Sequence, residues 1–175
     1  MLAKTVPTTP AIRTPALRAI ALMLGLALGF GSTGAARADE NWDAAQAAFE
    51  TCLTLFPQTR AIGKALAEQG WRYEGNDSGL RIYSRNGYRA VAAIEGSSQL
   101  ATRCAVSSSR LAEPAAAAFA TATAARLGQN QPNPEKSGAL VTYDLQIRGT
   151  NLRIMALPTA QFGVMRGAIV AMGEL

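Results

Sequence analysis

The fold of this chain is decided by one stretch, LRIYSRNGYRAVAAIEGSSQLATRCAVS, which covers residues 80–107. Within it, Asn86 and Gly87 separate two runs of alternating residues, and an Asn-Gly pair in that setting is a strong signal for a β-hairpin. A two-residue turn there would place Arg85 opposite Tyr88, and the turn would set the register of the whole pair. The stretch therefore predicts three antiparallel strands in a row, the third of which carries Cys104.

The N-terminal segment has the composition of a secretory signal peptide. Lys4, Arg13 and Arg18 form a positively charged region, a 12-residue apolar run follows at 19–30, and Ala-Arg-Ala at 36–38 gives a small-x-small cleavage pattern. The apolar run is well short of the ~20 residues that a bilayer-spanning helix needs. We therefore expect residues 1–38 to be a signal peptide cleaved near Ala38. Residues 39–175 should then form a single periplasmic or secreted domain.

Cleavage would remove most of the positive charge. The whole chain has 17 Lys+Arg, 12 Asp+Glu and a net charge of +5, and four of the basic residues but no acidic one lie in residues 1–38. The remaining chain has 13 basic and 12 acidic residues, a net charge of +1. A nearly neutral domain gives no electrostatic reason to expect a nucleic acid as partner. No apolar stretch after the leader is long enough to predict a membrane span.

The two cysteines predict one disulfide. Cys52 lies on the apolar stripe of a predicted helix, beside Phe49 and Phe56, and Cys104 shares a strand face with Val106. Two cysteines in an exported chain are most simply a disulfide pair, and their spacing is not the C-x-x-C of a reactive thiol pair. We therefore predict a structural Cys52–Cys104 bridge.

The remaining elements follow from periodicity and from turn residues. Helices are predicted at 41–56, about 60–69 and 115–127, and residues 75–79 read as a loop. A strand at 141–147 would turn at Gly149-Thr150 into a second strand, and a last strand is expected at 162–172. The order helix-helix-βββ-helix-βββ predicts an α+β domain, an antiparallel sheet of about six strands with helices packed on one face. The alternative is a sandwich of two three-stranded sheets with peripheral helices.

The sequence offers little for catalysis. Histidine is absent, which removes the commonest general base, the common metal ligand and every Ser-His or Cys-His nucleophile pair. The serines at 107–109 end a strand, where such residues usually cap or turn the backbone. Carboxylates near element ends could do acid–base chemistry if the fold paired them; they are Glu95, Glu113, Asp144 and Glu174. We therefore predict no catalytic residue, no metal ligand and no cofactor.

The feature that suggests a function is the face of the sheet that the pattern leaves to solvent. Its first half would carry Arg81, Tyr83, Arg85, Tyr88 and Arg103, and its second half Asp144, Gln146, Arg148 and Arg153. Arginine and tyrosine are enriched at recognition surfaces, although a solvated polar sheet face is also ordinary. We therefore expect a small exported, non-catalytic binding or inhibitor-like module, with an envelope protein or an anionic ligand as partner. The alternative is a histidine-independent envelope hydrolase or transferase that uses carboxylates or serine.

Overall fold

A computed structural model describes residues 35–133, 138–159 and 164–175, with side chains from residue 40 onward. Three helices are present in these ranges: α1 (Ala35–Leu55), α2 (Thr59–Glu68) and α3 (Glu113–Arg126). The strands are β1 (Arg72–Asp77), β2 (Leu80–Arg85), β3 (Ala90–Gly96), β4 (Ala101–Ser108), β5 (Val141–Ile147), β6 (Thr150–Leu157) and β7 (Ile169–Glu174). They form one antiparallel sheet in the order β1-β2-β3-β4-β7-β6-β5. The α+β prediction is confirmed, and the sandwich alternative is wrong.

The sheet has seven strands among the described residues, not six, because β1 lies partly in the predicted loop at 75–79. Glycine, asparagine and aspartate have low strand propensity, which is why the sequence pattern indicated a loop. Backbone pairing with β2 overrides that preference, and a bulge between Tyr73 and Gly75 accommodates a φ of 133° at Gly75.

The hairpin at Asn86 forms, but with a longer connection than predicted. Arg85 pairs with Ala90, so four residues rather than two join β2 to β3. Asn86, Gly87 and Tyr88 all have positive φ, at 52°, 64° and 64°. Tyr88 therefore lies in the connection and has no partner across the strand pair.

The register of the second hairpin also differs from the predicted one. Ile147 pairs with Thr150, so the turn is Arg148-Gly149, with φ of 50° and 82°, rather than Gly149-Thr150. Both registers differ from the prediction by two residues. Because side chains alternate with a period of two, an even shift changes the cross-strand partners but not which residues within one strand share a face.

All three helices pack on one face of the sheet and form the main core with it. Phe49 of α1 meets Phe119 of α3 edge-on, with ring centroids 5.6 Å apart. Cys52 and Cys104 are both fully buried and form the predicted disulfide, with 6.3 Å between their Cα atoms. This bond attaches α1 to β4, the middle strand of the sheet.

Some predictions concern residues outside the described ranges. The signal peptide falls mostly there, since the described chain begins at residue 35, and so does the start of the last predicted strand at 162–163. Residues 164–168 are not in a strand, and β7 begins at Ile169. No helix among the described residues is both long and apolar enough to cross a membrane.

Candidate functional site

The predicted arginine–tyrosine surface is divided between the two faces of the sheet. The Tyr83 hydroxyl lies against Gly63 of α2, and Arg85 Nη1 donates to the Gln69 carbonyl at 3.3 Å. Arg81 shares their face by strand alternation. These three residues therefore lie on the helix side of the sheet, and the prediction that they form a common solvent face with Arg103 and Arg153 is wrong.

The physical reason is that β2 lies near the edge of the sheet. On its helix-side face Tyr83 meets α2, where the small Gly63 leaves room for the tyrosine hydroxyl. Its apolar residues, Leu80 and Ile82, instead join a second apolar cluster on the other face, hereafter the open face. Arg148 also lies toward the helices, since its Nη1 donates to the Thr54 carbonyl near the end of α1 at 2.9 Å.

Arg103 and Arg153 do lie on the open face, in a line of residues that crosses the sheet from strand to strand. Arg103 Nε is 3.2 Å from Glu95 Oε2, and Arg153 contacts both carboxylate oxygens of Asp144, at 2.6 and 2.9 Å. The register defines this line, which we call the charged row, as Asp77, Leu80, Glu95, Arg103, Gly173, Arg153 and Asp144.

The next line of open-face residues is apolar and mostly small. Ala93, Ala105 and Ala171 are neighbours on β3, β4 and β7, with Ile82 and Met155 at the two ends of the line. We call these five residues the alanine row. Beyond it, the register aligns Val91, the buried Ser107, Ile169 and Leu157, a line that is bulkier at its three apolar positions. The three lines together give the open face a shallow, apolar centre.

A groove of about 1160 Å³ lies over the alanine row. Met165, which is only 3% exposed, packs against the apolar cluster on one side, and the charged row forms the other side. Tyr88 and Glu74 line the groove at its β1–β2 end. Size, apolar floor and a few polar groups at the margin are the features of small-molecule sites in proteins.

Sequence reasoning missed this groove because it assigned one face of each strand to solvent. A signal was present: residues 90–94 and 168–172 are continuous apolar runs, which are typical of strands covered on both faces. Those runs belong to β3 and β7, two of the three strands that supply the alanines.

Glu74 fixes the side chains that line the groove at its β1–β2 end. Its carboxylate accepts hydrogen bonds from Arg72 Nε at 2.7 Å and Nη2 at 3.1 Å, from the Ser84 hydroxyl and from the Tyr88 hydroxyl. The bonds from Arg72, and then that from Ser84, lower the pKa of Glu74. The bond to Glu74 and burial together raise the pKa of Tyr88. This network anchors Tyr88 although its backbone is left-handed.

We expect Glu74→Gln to remove part of the pH dependence of stability in acid. A carboxylate whose pKa is lower in the folded than in the unfolded state stabilises the fold at pH above the unfolded value, about 4.5, and that contribution is lost as the pH falls through the folded pKa. Urea unfolding from pH 7 to pH 3 should show the wild type losing its advantage over Glu74→Gln across that range. Glu68→Gln is the matched control, because Glu68 is exposed and pairs with Lys64 at 3.9 Å. Parallel pH curves for the wild type and Glu74→Gln would contradict the role given to Glu74.

The residues considered for catalysis are dispersed or engaged in structural contacts. Ser107 and Ser108 are buried, and the Ser107 hydroxyl has no hydrogen-bond partner among the described residues. Glu113 Oε1 accepts a bond from the Thr159 amide at 2.8 Å, and Glu95 and Asp144 each pair with an arginine. The described ranges hold no group of three or more Cys, Asp or Glu that could bind a metal. The enzyme alternative stays a prediction.

Comparison of the chain with protein-family models, with curated proteins and with solved structures finds no match.

Proposed function

We propose that this chain is a small exported binding module without catalytic activity, and that its binding site is the groove on the open face of the sheet. One observation carries the proposal: the alanine row forms an apolar depression on the sheet face opposite the helices. The disulfide, which persists in oxidising compartments, supports the export part of the proposal.

The energetic argument concerns the apolar area that a ligand would cover. Burial of apolar surface contributes roughly 25 cal/mol per Å², so a ligand needs only part of this groove to gain useful affinity. The groove combines an apolar floor with charged groups at its margin, which can orient a ligand.

The experiment is to fill the groove. In titrations with the uncharged fluorescent probe N-phenyl-1-naphthylamine, we expect saturable binding to the wild type and at least a tenfold weaker affinity for Ala105→Phe, whose ring would occupy the depression. Ala122→Phe is the matched control, because Ala122 is exposed on α3, on the other side of the sheet. Ala105→Leu, a smaller change, should give an intermediate loss if the larger variant folds poorly.

The arginine–tyrosine surface makes a different prediction for the same assay. If Arg81 and Arg85 carried the binding, a variant with both changed to Glu would lose the probe while Ala105→Phe kept it. That result, or the failure of the wild type to bind the probe, would overturn the groove as the site.

A further inference from the structure

Three loops meet at the end of the sheet where β3 begins, β4 ends and β7 begins. Backbone contacts hold them together: the Ser109 amide donates to the Arg89 carbonyl at 2.9 Å, and the Ala168 amide donates to the Leu111 carbonyl at 3.0 Å. The loop before β7 also approaches β4 closely, since a Cβ at Gly167 would overlap the carbonyl of the last residue of β4. Because β3, β4 and β7 are neighbours in the sheet, their ends span only about 10 Å across it.

The loops at this end carry positive charge that nothing in them compensates. Each has one exposed arginine, and these are Arg89, Arg110 and Arg166. None of the three makes an ion pair within the described ranges. Glu113, the carboxylate nearest to them in sequence, accepts a hydrogen bond from the Thr159 amide, and the carboxylates in the first turns of α1 belong to the helix layer. We call the three loops, none of which contains an acidic residue, the arginine end: residues 86–89, 109–112 and 164–168.

The exposure of the arginines indicates what kind of anion they fit. A site for one small anion has polar groups held in a fixed arrangement within a concave pocket. The side chains of the arginine end are exposed instead, and no hydrogen bond or ion pair among the described residues fixes them. They therefore suit a partner that presents many negative charges over an area.

Exposed apolar side chains beside the arginines favour a lipid surface among such partners. Tyr88 precedes Arg89 and is 38% exposed, and Val164 lies two residues before Arg166 and is 39% exposed. Tyrosine and arginine both suit the boundary of a bilayer, where the apolar part of the side chain is buried and its polar tip stays in water. A nucleic acid offers no comparable place for an exposed valine, because its outer surface is a row of charged phosphates.

We propose that the arginine end docks on an anionic phospholipid membrane, with its three guanidinium groups at the lipid phosphates and with Tyr88 and Val164 at the headgroup boundary. This inference goes beyond the proposed function and requires no ligand in the groove, since none of the three arginines lines it. Binding of this kind is peripheral and reversible. Each arginine near an anionic bilayer strengthens it about fivefold, and three together on the order of 100-fold.

The experiment is co-sedimentation of the exported protein with vesicles of phosphatidylcholine, with and without phosphatidylglycerol. At about 0.1 M salt, where charges interact over about 10 Å, we expect binding to the anionic vesicles only, and release at about 1 M salt. Arg89→Gln/Arg110→Gln/Arg166→Gln should weaken the binding on the order of 100-fold. The matched control should weaken it less than about fivefold, because it removes the same charge from exposed sites on α2 and α3: Arg60→Gln/Lys64→Gln/Arg126→Gln.

Several results would overturn the membrane surface as the partner. They are a wild type that does not bind anionic vesicles, equal binding to both kinds of vesicle, and equal losses in the two triple variants. Release by inorganic phosphate well beyond that by sodium chloride of the same ionic strength would indicate a site for a small anion instead. Binding of duplex DNA at least as tight as that of the anionic vesicles would indicate a nucleic acid.

The groove assay separates this proposal from the proposed function. Without vesicles, the arginine variant should bind N-phenyl-1-naphthylamine as the wild type does, and it should melt at the same temperature, because the exposed arginines hold no structural contact. A wild type that binds the probe but no anionic vesicle would overturn the membrane surface and leave the groove as a binding site. A wild type that binds anionic vesicles but not the probe would overturn the proposed function and leave the arginine end.

Discussion

Replacing both cysteines with alanine should lower the stability of this protein by about 4 kcal/mol and its melting temperature by about 10–20 °C. Cys52 and Cys104 are separated by 52 residues, and cross-linking a loop of that length removes much of the entropy of the unfolded chain. The loss should also loosen α1, whose contact with β4 the bond secures. Thermal unfolding followed by circular dichroism, with and without a reductant, measures the effect.

The control is the response to reduction. Reductant should destabilise the wild type by an amount close to that of the double variant, and should leave the double variant unchanged. Two free thiols in the wild type, detected by mass spectrometry under non-reducing conditions, would contradict the bridge. So would a double variant within about 1 kcal/mol of the wild type.

Gly96→Ala should be the most damaging single change at a glycine, at more than about 3 kcal/mol. Gly96 ends β3 with a φ of 131°, a conformation that residues with a side chain strongly avoid. A Cβ there would overlap the Leu100 carbonyl and lie 2.9 Å from both Ala101 Cα and the Thr102 amide. The β3–β4 connection would have to move, although β4 is held by strands on both sides.

Gly79→Ala is the matched variant. Gly79 also has positive φ, at 88°, but a Cβ there would meet no atom within 4 Å. It should cost only the backbone strain, about 1–2 kcal/mol. Urea unfolding of the two variants therefore isolates the steric part, and equal losses would contradict the close approach of the chain at Gly96.

The candidate site could be predicted only in part. Arg103, Arg153 and Tyr88 were named from the sequence, and all three line the groove. The floor of the groove was not predicted, because alanine carries no functional group that would mark it as a site residue. What makes Ala93, Ala105 and Ala171 a floor is that they align across three strands, and β4 and β7 pair over a long separation in the chain.

Periodicity and turn chemistry alone determined the three helices of the described ranges, most of the strands there and the inward-facing cysteines, because these depend on residues within a few positions of one another. They determined which residues within each hairpin strand share a face, even where the register was wrong by two. Only the tertiary structure decided that the helices cover the Tyr83 side of β2 and leave Ile82 on the open face. Both faces of that strand carry side chains able to pack, so which face is covered depends on where α1, α2 and α3 pack against the sheet. That position is set by contacts between distant segments, which no local pattern records.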